Sequence, residues 1–355
     1  MAGESILIVK LSALGDVIHT LPALTTLRRH RPGARIAWLV EEAAAELVRG
    51  HAALDRLIVW RRGAFERALR SGRLAAAGGE VRRTLRELRA TRHDLVIDFQ
   101  GLAKSAFWVA AAGGAVRAGY GAGQRRNEFA HLVLNRRVPV TAAGAHAVER
   151  NLRLLEGLGF PRLPLAYDFP TEPADEAAAE ALLAGLGLGA ARFVAVNALT
   201  RWPTKNWTAA GFAAVGDRLA ARGLPAVFTG APGDRTALDA IAAAMRTPVR
   251  RLDGRTPLKV LGALFRRAAA VLSTDTGPMH LAVAVGTPVV ALFGPTDPGY
   301  TGPHGEGHVV LRAGVACSPC FRRDCRTTQF EKHACMTRLQ PEAVAEAVLA
   351  RAAQP

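Results

Sequence analysis

The chain has 355 residues, half of them apolar and 21% charged, a composition that excludes a disordered polymer and leaves enough apolar side chain for a packed core. At roughly 100–200 residues per domain, the length predicts two domains. Forty-six basic against thirty acidic side chains give a formal net charge of +16, yet only five of the basic residues are Lys and no Lys/Arg block or aromatic-interleaved basic run occurs. No nucleic-acid partner is expected, whereas a phosphorylated small molecule or an acidic lipid fits the charge.

The opening Met1-Ala-Gly-Glu-Ser5 carries no basic n-region, and the first apolar run, Ile6 to Val9, stops at Lys10. Neither a signal peptide nor a membrane span of about 18 apolar residues is expected, so the chain reads as cytosolic. Short β-branched runs then alternate with Ala/Leu/Arg stretches of helical period, which predicts an α/β fold with parallel sheets. In the first half strands are expected at 6–9, 36–40, 57–60, 95–99 and 116–120. Helices are expected from Val17, around 43–49, and through 81–90, where Val81, Leu85 and Leu88 share one face. The apolar run 106–116 carries Gly113 and Gly114 and reads as a buried helix end.

Prolines 161, 164, 170 and 173 crowd a stretch with no helical period, a linker signal. The expected organisation is therefore a domain over 1–160, a linker over 161–173, a second domain over 174–340 and a closing helix within 341–355. In the second half strands are expected at 193–197, 226–229, 249–252, 270–273 and 289–293. Pro341 suits the first turn of the last helix, where its missing N–H costs nothing. Two Rossmann-like halves of this kind would leave a cleft between lobes.

Chemistry concentrates in loops at strand ends, where ligands meet open α/β sheets. The first, Lys10 to His19, lacks GxGxxG and so lacks a dinucleotide fingerprint. Its Asp16 stands at a helix start, either as an N-cap or as a working carboxylate. The second, Asn197 to Trp207, places Thr200, Arg201 and Lys205 where a phosphate or pyrophosphate would be held. In the third, Phe228 to Asp234, Asp234 suits a helix cap or a ribose hydroxyl. The fourth, Ser273 to His280, brings hydroxyls and backbone N–H groups to a helix start as an anion cradle, with Gly277 allowing close approach. Together with Phe293-Gly-Pro-Thr-Asp297 it predicts a nucleotide site in the second half. Cys317, Cys320, Cys325 and Cys335, spaced C-x2-C-x4-C-x9-C, are either reduced packing cysteines or a structural zinc site.

Six segments in this order resemble the lipopolysaccharide heptosyltransferases, the ADP-heptose-dependent glycosyltransferase family 9. They are Ile6 to Pro22, Asp98-Phe-Gln-Gly-Leu-Ala-Lys-Ser105, His146-Ala-Val-Glu-Arg-Asn151, the Lys205 loop, Asp275-Thr-Gly-Pro-Met-His280 and Phe293 to Pro298. The opening and the His146 segment are similar to the heptosyltransferase I branch, the Cys-Ser-Pro-Cys tail to the heptosyltransferase II branch. The resemblance implies a GT-B fold, two Rossmann-like domains whose parallel sheets face each other across a cleft, with the acceptor largely in the N-terminal domain and the nucleotide sugar in the C-terminal one. It implies inverting transfer of L-glycero-D-manno-heptose from ADP-heptose to the Kdo-lipid A or inner-core region of lipopolysaccharide, with no cofactor required.

Residue by residue, Asp16 matches the family's catalytic base. Lys205, Asp275, Thr276, Gly277 and His280 match the nucleotide-holding set, with Thr200 and Asp234 in looser positions. Arg61, Arg62, Lys104 and Arg126 are expected to face the acidic acceptor. Such an enzyme would sit in the cytoplasm, peripheral to the anionic inner face of the inner membrane, helped by the arginines from Arg61 to Arg92. Alternatives are another acceptor within the family, whether a second heptose or a non-lipopolysaccharide glycan, a sugar-nucleotide epimerase of similar fold, and a non-catalytic nucleotide-sugar sensor.

Overall fold

In a computed structural model, residues 3–122, 129–140 and 145–353 are described, and the chain divides between Pro170 and Thr171 into two compact units. The first unit runs β1 (Ser5–Val9), α1 (Leu14–Ile18), α2 (Leu21–His30), β2 (Arg35–Glu41), β3 (Arg56–Trp60), α3 (Arg62–Arg70), α4 (Leu74–Arg89), β4 (Leu95–Asp98), α5 (Ala103–Ala112), β5 (Val116–Tyr120), β6 (Arg136–Val138) and α6 (Ala147–Gly157). The second runs α7 (Pro173–Gly185), β7 (Val194–Asn197), α8 (Ala209–Ala220), β8 (Ala226–Thr229), α9 (Arg235–Ala244), β9 (Arg250–Arg251), α10 (Leu258–Arg267), β10 (Ala270–Thr274), α11 (Gly277–Ala284), β11 (Val289–Leu292), α12 (Pro298–Thr301), β12 (Val309–Leu311), α13 (Ala334–Thr337) and α14 (Pro341–Ala352).

Each unit holds one six-stranded sheet, in the orders β3-β2-β1-β4-β5-β6 and β12-β11-β10-β7-β8-β9. All pairings are parallel: Ile6 lies opposite Ile36 and Leu95, and Val271 opposite Val289 and Ala195. Counted from its own first strand, each sheet follows the doubly wound Rossmann order, so the expected α/β class holds in both halves. Helices cover both faces of such sheets, which is why β1, β7 and β10 are buried along their whole length and are largely apolar, with polar residues only at their ends.

The cores are separate. One packs Leu7, Leu39, Val96, Trp60 and Trp108 under α4 and α5; the other packs Val196, Phe228, Leu272 and Val290 with Phe212 and Leu219 of α8. Helix α14 contributes Val344, Val348 and Ala352 to that second core and is part of its unit. Residues 160–172 carry no helix or strand, but their first part is tied to the first unit: Thr25 Oγ1 donates to the Asp168 carboxylate at 3.2 Å. No helix among the described residues is long and apolar enough to cross a membrane.

Three local expectations give way. The helix expected from Val17 begins at Leu14 and breaks before Leu21, where Pro22 sits in the first turn of α2 and has no N–H to continue α1. The segment expected as a helix around 43–49 is a 3-10 turn over Glu42–Leu47, and Gly50 at φ 78° turns the chain away. Helix α4 starts seven residues before Val81, through Gly78 and Gly79.

Several histidines are held neutral. Ala53 N–H donates to His51 Nδ1 at 3.1 Å, which leaves the Nε2 proton for the Tyr167 carbonyl at 3.2 Å. Burial lowers the His51 and His93 pKa values. Burial, helped by the charges of His304 and Arg351, takes His308 down to about 4, and its Nδ1 accepts the Val289 N–H. Protons therefore bind the unfolded histidine first as pH falls, so the stability present above pH 6.5 is lost progressively toward pH 4. Urea midpoints measured from pH 7 to 4.5 should drop more steeply for the wild type than for His308→Asn, which keeps an acceptor but does not titrate. Parallel curves would remove His308 from the acid loss.

Candidate active site

In a doubly wound sheet the connections on either side of the central strand pair run to opposite faces, leaving a crevice at the carboxyl ends of those two strands. The pair is β1 and β4 in the first unit and β7 and β10 in the second. Of the segments singled out in the sequence, those at Lys10, Asp98, Lys205 and Asp275 leave from these four ends, while Phe228–Asp234 follows β8 and Phe293–Asp297 follows β11.

In the first unit the crevice is built on Asp98, the last residue of β4. Its carboxylate, 1% exposed, accepts from the Gln100 and Gly101 N–H groups and from Ser105 Oγ at 2.9–3.0 Å. Burial pushes this carboxyl up, while those hydrogen bonds and the Lys10 charge pull it down. The turn so held aims Gln100 Oε1 at the backbone N–H groups of Leu11 and Ser12, at 3.0 and 3.1 Å. Lys10 Nζ closes the other side by donating to the Phe99 carbonyl at 2.8 Å. The loop after β1 is thereby pinned to the loop after β4, and it delivers Asp16.

Asp16 is the third residue of α1, within its first turn, and not its N-cap, which is Ala13. Its Oδ2 accepts the Ala13 N–H at 3.3 Å, and the side chain is half-buried. The following turn is fixed from below: Thr20 Oγ1 donates to the Asp16 carbonyl at 2.9 Å, Asn151 Nδ2 donates to Thr20 Oγ1 and to the His19 carbonyl, and Tyr120 OH donates to Asn151 Oδ1 at 2.6 Å. The His146 segment thus reaches the Asp16 helix through Asn151 of α6, and the His146 and His19 rings meet edge-on at 5.1 Å.

Lys104, on α5, donates to Ser12 Oγ at 2.5 Å and to Glu41 Oε1 at 2.8 Å. Arg62 approaches the same Glu41 carboxylate at 3.6 Å and pairs with Glu66 at 2.7 Å. Two of the expected acceptor-facing cations are therefore gathered around one carboxylate that the sequence did not single out. Arg61 is exposed just before α3, and Arg126 lies outside the described residues.

In the second unit Lys205 Nζ donates to Asp275 Oδ2 at 2.6 Å, and Thr296 Oγ1 donates to the same oxygen at 2.6 Å. The pair is largely buried, with side-chain exposures of 14% and 6%, and the indole of Trp202 lies 4.5 Å from the ammonium. Thr276 is the N-cap residue of α11 without a side-chain capping bond, so its hydroxyl and the Gly277 N–H are available to an anion, whereas Pro278 has no N–H and the Met279 N–H donates to the Thr276 carbonyl at 3.1 Å. Gly277 opens that helix and His280 is buried within it. Thr200 and Asp234 are held within their own turns, Thr200 N–H by Asn206 Oδ1 and Asp234 Oδ2 by the Ala231 N–H. Gly294 is required by packing, since a Cβ there would lie 2.5 Å from Met336 Sδ. The loop carrying Thr296 therefore lies directly on α13.

The four cysteines are free, and among the described residues no group of three or more Cys, His, Asp or Glu is arranged to hold a metal ion. The zinc expectation is not met by this geometry. Cys335 is pushed up to about 11 by burial and then by the neighbouring Cys320, Cys317 and Cys325 thiols, and Cys325 Sγ is engaged by the His333 N–H.

Comparison with known proteins agrees with this architecture. The family model for glycosyltransferase family 9 (heptosyltransferase) matches residues 81–331. Lipopolysaccharide heptosyltransferase 1 of Pseudomonas aeruginosa is 34% identical, with 96% of each chain covered. Among solved structures, the E. coli heptosyltransferase WaaC with ADP is similar at a TM-score of 0.78 and 29% identity, covering 98% of this chain and 99% of that one. A family 9 glycosyltransferase from Veillonella parvula reaches a TM-score of 0.84 at 22% identity, covering 98% and 97%, a likeness of fold. The pinned crevice of the first unit, the cation–carboxylate cluster of the second and these matches along the chain lead to one assignment: the chain belongs to glycosyltransferase family 9, the heptosyltransferases, and is an enzyme of the GT-B fold.

Proposed function

We propose that the enzyme transfers L-glycero-D-manno-heptose from ADP-heptose to the Kdo-bearing inner core of lipopolysaccharide, with inversion and with Asp16 as general base. The observation that carries this reading is the Lys205–Asp275–Thr296 cluster at the carboxyl ends of the central strands of the second sheet, the position at which such sheets take nucleotide phosphates. The 34% identity to a lipopolysaccharide heptosyltransferase 1 supports heptose as the sugar and lipopolysaccharide as the acceptor.

In this mechanism an acceptor hydroxyl oxygen attacks the anomeric carbon and the bond from that carbon to the diphosphate oxygen breaks. ADP leaves with the electron pair, and the hydroxyl proton passes to the Asp16 carboxylate. Asp16 suits the task because its helix turn is held by the Thr20–Asn151–Tyr120 chain, which limits the freedom of the base before substrate arrives. Lys205, the Thr276 hydroxyl and the Gly277 N–H would offset the charge developing on the leaving diphosphate. Lys104 and Arg62, gathered at Glu41, supply cations for an acidic acceptor, with Arg61 beside them.

The acceptor's lipid character leads to the second part of the proposal, peripheral contact with the anionic inner face of the cytoplasmic membrane. Many arginines of the first unit are engaged in local pairs: Arg62 and Arg70 with Glu66, and Arg83 with Glu80 and Glu87. Arg82 and Arg86, however, have no ion pair among the described residues and line a groove with Leu85 on α4. On α5 and the turn packed against it, Phe107, Phe129 and Leu132 are 52%, 76% and 66% exposed. Apolar side chains and unpaired cations in one unit fit an anionic lipid surface.

Two measurements test these assignments. Asp16→Asn should keep donor affinity within about twofold while kcat falls by about 10²–10⁴, read as ADP release and as heptose added to de-acylated Kdo-lipid A by mass spectrometry. Unchanged turnover would take Asp16 out of the mechanism. Co-sedimentation with phosphatidylglycerol vesicles should fall as salt rises from 50 to about 500 mM, and Arg82→Glu/Arg86→Glu should weaken it at low salt. Partitioning that ignores salt would sink the electrostatic part of the membrane proposal.

A further inference from the structure

Between β12 and α13 the chain from 312 to 333 contains no helix or strand. It is nevertheless bonded to both loops of the nucleotide crevice. Ser318 Oγ donates to the Gly294 carbonyl at 2.5 Å and Phe321 N–H to the Pro295 carbonyl at 2.7 Å, fastening it to the loop that carries Thr296. Thr204 Oγ1 donates to the Arg322 carbonyl at 2.8 Å, fastening it to the loop that carries Lys205. This cysteine-bearing strap therefore spans the two loops whose side chains meet at Asp275.

The next residue, Arg323, places its guanidinium 5.1 Å from the centre of the Trp202 ring, the same indole that Lys205 Nζ approaches at 4.5 Å. The two cations differ in their partners. Lys205 is neutralised by Asp275 at 2.6 Å, whereas Arg323 is exposed and has no ion pair among the described residues. A nucleoside diphosphate brings at least two negative charges. One ammonium already paired with a carboxylate leaves most of that charge unmet, and a guanidinium presents a planar fork that matches two phosphate oxygens at once.

From this arrangement we infer that Arg323 is a second cation of the donor site, carried in by the strap, docked on Trp202 and directed at the diphosphate of the nucleotide sugar. Trp202 acts as a platform: its face attracts both cations and limits the freedom of the long arginine side chain. Arg322, one residue earlier, serves through its carbonyl and not through its side chain. The inference rests on the proposed nucleotide-sugar reading of this crevice and adds to it a residue that the loop motifs do not contain.

The test is ADP affinity, measured by calorimetry on the full-length chain for the wild type, Arg323→Ala, Arg323→Lys and Arg322→Ala. Arg322→Ala removes the same charge from the same strap but spares the carbonyl. Arg323→Ala should weaken ADP binding by about tenfold or more and flatten the dependence of affinity on salt, Arg323→Lys should fall between it and the wild type, and Arg322→Ala should remain within about twofold. Equal affinities for Arg323→Ala and wild type would overturn the inference. So would equal losses in Arg322→Ala and Arg323→Ala, because the effect would then belong to net charge or to the strap's folding, the latter checked by thermal melting. Lys205→Ala in the same assay separates the two layers. If the wild type binds ADP and Lys205→Ala does not, the crevice reading stands whatever Arg323 does; if the wild type binds no ADP, the donor reading itself fails.

Discussion

A parallel sheet whose connections cross to both faces must part them somewhere, and at that place the carboxyl ends of two neighbouring strands stand uncovered. Everything functional in this enzyme depends on that constraint, applied twice. In the first unit it sets Asp98 beside the loop after β1, so that one buried carboxylate orders Gln100, Gln100 orders the Leu11–Ser12 backbone, and the backbone presents Asp16. In the second it sets the Lys205 loop beside Asp275. Asp16, Gln100, Lys205 and Asp275 need no long loop to reach their places, because the strand order brings their short loops together; only the strap is long.

The two crevices use charge differently. Asp98 is a scaffold: its oxygens are filled by backbone N–H groups and a serine hydroxyl, and its role is geometric. The Lys205–Asp275 pair is a poised charge, largely removed from water, whose desolvation is offset by the second donor from Thr296 and by the Trp202 face. A buried pair of this kind adds little net stability, but removing either partner alone costs about 3–5 kcal/mol because the other charge is stranded. That asymmetry holds the ammonium in one place. The pairs along α3 are of another sort, open to solvent and screened by it, and with the Arg83 pairs on α4 they account for part of a basic excess that needs no ligand.

How much of this was legible follows from how local each signal is. The central strands declare themselves as short, mostly apolar runs rich in Val and Ile because both their faces are covered. The edge strands β6 and β12, three residues each, carry too few side chains to show a pattern. Asp16, Lys205 and Asp275 stood out because they interrupt strand ends with polar chemistry, yet Asp16 lies at the third helical position and not at the cap, a distinction that depends on where the backbone begins to turn. Glu41 gave no warning, and Gln100, Asn151 and Thr296 lay inside singled-out segments without any role of their own. Each acts by pairing with a group far away in the chain, and no window of sequence contains both halves. Arg323 was hidden in the same way, among many arginines, until the strap's three bonds showed where it is carried. The cysteine spacing left packing and zinc both open; the other three thiols lie near enough to Cys335 to raise it, yet no metal-holding group forms among the described residues.

The strand order also governs the time at which this enzyme can become one. The bond from Lys10 to the Phe99 carbonyl closes a loop of 89 residues, and the pair between Lys205 and Asp275 closes one of 70. Contacts so distant in sequence are entropically expensive to form first and depend on the intervening strands being in register. A growing chain that has emerged only as far as β3 has the Asp16 loop tied on the β2 side alone, by the Glu41 N–H and the Trp38 indole, and the crevice of the second unit waits for β10 and β11. Each crevice is thus completed only when its sheet is, so a partly folded chain should carry neither half of the chemistry, and binding of a nucleotide to the second unit would report that its central pairing has closed.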